Sequence, residues 1–139
     1  MHRYRYKVSF RMWHPSRDLS GATKVFGLKT ARLAKVGEKR ATPKGTALPG
    51  IWKESYWITK LTPEKGIWSN RIGLENYLLK AIKHLMPKRA YISRLRTSGG
   101  RAELFVGLFG GRNFGIELHP DLLAAASRVG ISLSLDVYP

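Results

Sequence analysis

The sequence predicts an α+β protein, a two-layer domain in which a mixed β-sheet carries helices on one face. Three observations lead there. Residues 4–13 alternate apolar and polar side chains with period two. Residues 74–85 place apolar side chains on one helical stripe. Residues 120–130 begin with Pro and end with Gly, as a capped helix does. The expected order is β-α-β-α-β-β-α-β, in a single domain covering all 139 residues, a length suited to one hydrophobic core.

In "YRYKVSFRMW" (4–13), Tyr4, Tyr6, Val8, Phe10 and Met12 share one face, and Arg5, Lys7, Ser9, Arg11 and Trp13 share the other. That pattern is a half-buried strand. Pro15, Ser16 and Asp18 then supply helix-start chemistry, and Leu19, Ala22 and Phe26 form a short apolar stripe closed by Gly27. Residues 29–50 show no sustained period and are interrupted by Gly37, Pro43, Gly45, Pro49 and Gly50, so they are expected to form a long basic loop. "IWKESYWITKL" (51–61) is aromatic and β-branched, hence a strand.

Leu74, Tyr77, Leu78, Ala81, Ile82 and Leu85 give the clearest helix, and Pro87 ends or kinks it and can open a second piece carrying Tyr91, Ile92 and Leu95. "RAELFVGLF" (101–109) is a strand. "GGRN" (110–113) can turn the chain, so that "FGIEL" (114–118) becomes its hairpin partner. "HPDLLAAASRVG" is a helix, with Asp121 at its positive end and Arg128 at its negative end. Residues 131–137 alternate again and close the chain as a strand.

The charge is large and uneven. Twenty-five Lys and Arg face nine Asp and Glu, a formal net charge of +16. Residues 1–50 hold 12 basic and 2 acidic residues, residues 51–100 hold 10 and 3, and residues 101–139 hold 3 and 4. A field this positive favours acidic partners: an acidic protein, a nucleic acid or an anionic membrane surface. No apolar run approaches the roughly 18 residues of a spanning helix, and the apolar stripes of the basic helices are needed by the core, so no membrane role is expected. The start, "MHRYRYKVSF", passes directly into a strand pattern without an apolar signal region. There is no cysteine, which removes disulfides and thiol chemistry and agrees with a cytoplasmic setting.

The stretches "SGGRAELFVGLFGG" and "LHPDLLAAASRVGISLSLDVYP", together with "SFRMWHP", the "VGEKRATPKG" segment and "SYW", resemble the bacterial family catalogued as domain of unknown function 4279. The resemblance spans nearly the whole chain. It implies a bacterial, cytoplasmic, stand-alone protein and brings no catalytic residues with it. By analogy with other small bacterial domains, it also implies a role like that of immunity proteins.

Residue chemistry narrows the site. "GEKRATPKG" lacks the G-x-x-x-x-G-K-[ST] spacing of a phosphate loop and leads into a strand rather than a helix. His14 and His119 each precede a helix, but nothing completes a zinc set. The few acids are expected to pair with Arg and Lys, and Ser98 has no base that the sequence points to, so no catalytic residue, metal or cofactor is expected. The remaining candidates bind anions or a partner: Arg5, Lys7, Arg11 and Trp13 on the first strand, Lys39, Arg40 and Lys44 in the loop, and Lys80 and Lys83 on the central helix.

Phe105 and Phe109 could join the first group as a basic, aromatic platform. "RAELFVGL" overlays an RNA-recognition pattern at Arg101, Phe105 and Val106, but Glu103 stands where that pattern has an aromatic. A platform so rich in Phe is instead expected to be covered, by the 29–50 loop or by a dimer contact. The expected function is that of a non-catalytic binding module for an acidic protein, immunity-like or regulatory. Nucleic-acid binding is the alternative.

Overall fold

The computed structural model describes residues 2–139. The main sheet has the order β2-β5-β1-β7-β8, with β6 beside β1. Its strands are β1 (Arg5–His14), β2 (Arg32–Ala34), β5 (Ser55–Lys60), β6 (Ile67–Trp68), β7 (Arg101–Phe109) and β8 (Ser132–Tyr138). Four helices accompany it: α1 (Ala22–Phe26), α2 (Leu74–Leu85), α3 (Arg89–Thr97) and α4 (Pro120–Val129). A second, two-stranded sheet joins β3 (Lys39–Ala41) to β4 (Ala47–Ile51). The expected α+β class, with a mixed sheet and helices on one face, is what the chain adopts.

Period two does the sorting. Tyr6, Phe10 and Met12 of β1 are fully buried, as are Leu104, Val106 and Leu108 of β7 and Trp57 of β5. From the helices, Leu78, Ile82, Ile92 and Leu122 enter the same cluster. Phe10, Phe26 and Trp57 form its aromatic centre, with ring centroids 5.1 to 5.9 Å apart. The Trp57 indole N–H donates to Thr30 Oγ1 at 2.8 Å, so the largest buried side chain leaves no donor unmet.

β1 pairs antiparallel with β5 from Ser9 to His14 and with β6 at Arg5 and Tyr6, so one edge of β1 serves two strands. Its other edge pairs antiparallel with β7. β7 and β8 run parallel, joined through α4. A 3₁₀ turn at Met86–Lys88 separates α2 from α3, where Pro87 removes a backbone donor and bends the path.

Two expectations are corrected. Residues 29–50 are not a loop. Arg32–Ala34 add a short edge strand to β5, and the following residues build the β3–β4 hairpin. Its tip is tied by Thr42 N–H to Thr46 O and by Gly45 N–H to Thr42 O, both at 2.8 Å. Gly45 supplies the positive φ (89°) of that turn. The strands were hidden because β3 has only three residues and β4, with five, carries Pro49 and Gly50. Residues 114–118 are not a strand either. β7 already has β1 on one edge and β8 on the other, so no edge remains for a hairpin partner. The alternation there serves packing instead: Phe114 stacks on Tyr4 with centroids 4.6 Å apart, and Ile116 and Leu118 lean on the core.

Candidate anion-binding face

The side chains that period two turns away from the helices form the other face of the sheet. Strand register places them in rows. Trp68, Arg5, Phe109 and Tyr138 stand side by side at one level. At another, Arg32, Ile58, Arg11, Glu103 and Ser132 do the same. Trp13 lies beside Tyr56 and Arg101 at one end. The rows surround a groove of about 400 Å³, whose lining includes Lys7, Arg11, Arg32, Lys60, Phe105 and Tyr138. Gly107 keeps its floor low, because a Cβ there would stand 3.3 Å from the Phe109 ring.

Cations rest on the aromatic rings. The Arg11 guanidinium lies 3.8 Å from the Phe105 centroid, and Arg101 lies 4.4 Å from that of Trp13. Arg5 and Lys7 both approach Phe109, at 5.4 and 5.5 Å, and Arg32 approaches Tyr56 at 5.7 Å. Phe109 itself stacks against Tyr138, with centroids 4.8 Å apart and planes 8° from parallel. These contacts fall within cation–π range. Lys60 pairs with Glu64 and Arg101 with Glu54, at 3.1 and 3.2 Å. Arg5, Lys7, Arg11 and Arg32 make no ion pair among the described residues. Burial lowers the Arg11 pKa, while Glu103 acts in the opposite sense.

Phe105 and Phe109 are therefore not buried under residues 36–51 of their own chain. They are half-buried, and what shields them is their own neighbours: Arg11 over one ring, Tyr138 with Arg5 and Lys7 around the other. No residue between 36 and 51 lines the groove.

Of the residues singled out in the sequence, Arg5, Lys7, Arg11 and Trp13 are brought together here. Lys39, Arg40 and Lys44 sit on the β3–β4 hairpin. Lys39 lines a second depression that shares Ala31 and Arg32 with the groove, so the hairpin extends the basic surface past β2. Arg40 rests 5.3 Å from the Trp52 centroid, and Lys44 stands exposed at the tip. Lys80 and Lys83 lie on α2, in the helical layer, away from this face. Arg32, Lys60 and Tyr138 belong to the groove but were not singled out. Arg32 lay in the presumed loop, and the other two join only through strand pairing.

The two His-Pro histidines do different work: His14 ends β1 and His119 is the N-cap of α4. His14 is buried, and its Nδ1 accepts backbone N–H bonds from Ser16 at 3.0 Å and Arg17 at 2.8 Å. Its Nε2 lies 2.9 Å from Ser98 Oγ, so the fold does bring an imidazole to Ser98. With Nδ1 accepting, however, the neutral ring carries its proton on Nε2 and donates to Ser98. Ser98 Oγ in turn donates to the Arg94 carbonyl at 2.7 Å. The pair is wired to hold the end of α3 and not to withdraw the serine proton. His119 is exposed and lies between two carboxylates, with Glu75 at Nδ1 and Glu117 at 3.2 Å from Nε2. Its two nitrogens point to separate acids and not to one common centre, and no metal-holding group of three such side chains occurs among the described residues.

Fold and face together define a class: a basic two-layer α+β protein with one sheet face open, bearing cations seated on aromatic rings. The chain belongs to the family described as Domain of unknown function (DUF4279), whose model matches residues 3–139. No curated protein and no solved structure matches it. No helix among the described residues is long and apolar enough to cross a membrane.

Proposed function

We propose that the chain is a non-catalytic binding module that takes an acidic protein partner on its open sheet face, in an immunity-like or regulatory role in the bacterial cytoplasm. One observation carries this reading. Arg5, Lys7, Arg11 and Arg32 stand on aromatic rings and make no ion pair among the described residues. Cations held in this way lose little freedom when carboxylates arrive, and preorganisation of that kind raises affinity. Phe109, Trp13 and Tyr138 give the face the aromatic content typical of protein interfaces.

The same geometry weighs against bases as the ligand. Stacking a base on Phe105 must displace Arg11. Base–aromatic stacking contributes about 1–3 kcal/mol, and the cation–π contact it replaces about 0.5–2 kcal/mol, so little is gained. Carboxylates meet the cations without displacing them. Charge also limits the target: a protein that blocks the basic cleft of a nuclease should itself be acidic.

The test is a comparison of two labelled probes of equal charge, a glutamate-rich peptide and a single-stranded oligonucleotide, at low and physiological salt. The peptide should bind more tightly, weaken with salt, and weaken again in Lys7→Ala/Arg11→Ala. Absence of peptide binding at low salt sinks the reading. Tighter oligonucleotide binding that is lost in Phe105→Ala transfers the face to nucleic acid.

A further inference from the structure

The outer edge of β8 is unlike the rest of the surface. β8 ends the main sheet, and its seven residues carry no Lys, Arg or Pro. Its register against β7 runs without a bulge from Ser132 to Tyr138. Among the described residues, no turn, loop or cap supplies a backbone hydrogen bond to residues 132–138. Sheet edges are ordinarily protected by shortness, lysine, proline or bulges. The opposite edge, β2, follows that rule with three residues that include Arg32. β8 follows none of it, and it exposes Leu135 (41%), Val137 (60%) and Tyr138 (41%).

We propose that this edge pairs antiparallel with the β8 edge of a second copy, so that two main sheets join into one. Charge selects the occupant. On a chain of net charge +16, residues 101–139 hold 3 basic and 4 acidic residues, and Asp136 is the one charged residue of β8. An acidic partner finds no cation on this strand, whereas a second copy can approach here with its basic regions held apart.

The strand is also complementary to itself. Its midpoint is Leu135, and a two-fold axis there pairs all seven residues. Leu135 then faces its own copy, Val137 faces Leu133, and Asp136 faces Ser134. Like charges are kept apart, and residues directly opposite share a face. The apolar side chains meet on the helical side. Both open faces lie on the other side, so the basic face continues across the axis. A pairing carried by one strand and a few apolar side chains buries little area, which gives a weak, concentration-dependent dimer.

This inference is independent of the open face, and salt separates the two. Added salt screens repulsion between the positive chains and should strengthen the dimer, whereas it should weaken anion binding. In sedimentation equilibrium the protein should move from the mass of one 15.7 kDa chain towards that of two as concentration rises. Leu135→Lys/Val137→Lys should remain a single chain with an unchanged circular dichroism spectrum.

Should that variant fail to fold, cysteines report the register, since the chain has none of its own. Leu135→Cys sits opposite itself at a spacing that a disulfide spans, so mild oxidation should link two copies. Val137→Cys lies four residues from its equivalent, about 13 Å away at strand rise, and should not. A single-chain mass at every concentration and salt, or linking of Val137→Cys as efficient as that of Leu135→Cys, overturns the proposal.

Discussion

The Arg11 guanidinium lies 3.8 Å from the centre of the Phe105 ring while its Nε donates to Ser9 Oγ at 3.0 Å. One contact fixes the height of the cation above the sheet and the other fixes its rotation. Arg11→Ala should lower the affinity for the glutamate-rich peptide about tenfold, the ~1.4 kcal/mol of a charge-assisted hydrogen bond. Arg11→Lys should recover only part of it, because an ammonium is a point charge without a plane to stack. Phe105→Ala combined with Arg11→Ala, measured by titration calorimetry, should show a coupling of about 0.5–1 kcal/mol. Purely additive effects would mean that the ring does not position the cation.

The β3–β4 hairpin offers a second test. Lys39, Arg40 and Lys44 are exposed, and only Arg40 has a ring and a carbonyl to hold it, Trp52 and Pro49 O at 3.4 Å. Replacing all three by alanine should leave thermal stability within about 0.5 kcal/mol per site and reduce acidic-peptide binding severalfold, chiefly through a slower association rate. A large drop in melting temperature would make these residues structural. Lys80→Ala/Lys83→Ala, on the helical side, should leave binding unchanged.

Gly100 joins α3 to β7 where there is no room for a side chain. A Cβ would lie 2.6 Å from the Trp13 carbonyl oxygen, 2.8 Å from Leu95 and 2.9 Å from the His14 ring. Gly100→Ala must push β1 and α3 apart and should cost about 1–3 kcal/mol. Chemical denaturation would show a lower midpoint with the slope retained. Gly111→Ala, with nothing within 4 Å, is the matched control.

How much of this was legible in the sequence depended on whether a signal was local. α2 and α4 could be read to the residue, because their apolar stripes and their Pro and Gly ends lie within a dozen positions. β1 and β7 were legible because each alternates for nine residues or more. Arg32–Ala34 was not, since three residues cannot establish a period and the strand exists only through its pairing with β5. Phe114, Ile116 and Leu118 misled for the converse reason: alternation reports burial on one side, and a ladder additionally needs a free edge.

The site divided along the same line. The face bearing Arg5, Lys7, Arg11 and Trp13 follows from period two alone. That Phe105 would carry Arg11, and that Lys60 and Tyr138 would join the same groove, depended on strand order and register, which no single segment encodes. His14 shows the limit most clearly, because its partner Ser98 is 84 positions away.

The two histidines should titrate in opposite directions. Hydrogen bonding to Glu75 raises the His119 pKa above its usual 6.5, and the charge of that carboxylate adds to the effect. The backbone N–H of His119 in turn holds the Glu75 pKa below 4.5. Burial lowers the His14 pKa, helped by the charge of Arg17. For His119 the native state holds the proton more tightly than the unfolded chain, so its contribution is complete below 6.5 and is lost as pH rises through the raised value. For His14 the unfolded chain binds the proton more tightly, so stability falls as pH drops below 6.5 towards the lowered value. Two-dimensional NMR titration should show His119 changing charge above pH 6.5 and His14 below it. Glu75→Gln should return His119 towards 6.5 and leave His14 unmoved, whereas His14→Gln should remove the loss of stability between pH 6.5 and the lowered His14 value and leave His119 as it was. Coincident titration of both rings near 6.5 would mean that neither the α2–α4 tie at Glu75 nor the burial of His14 persists in solution.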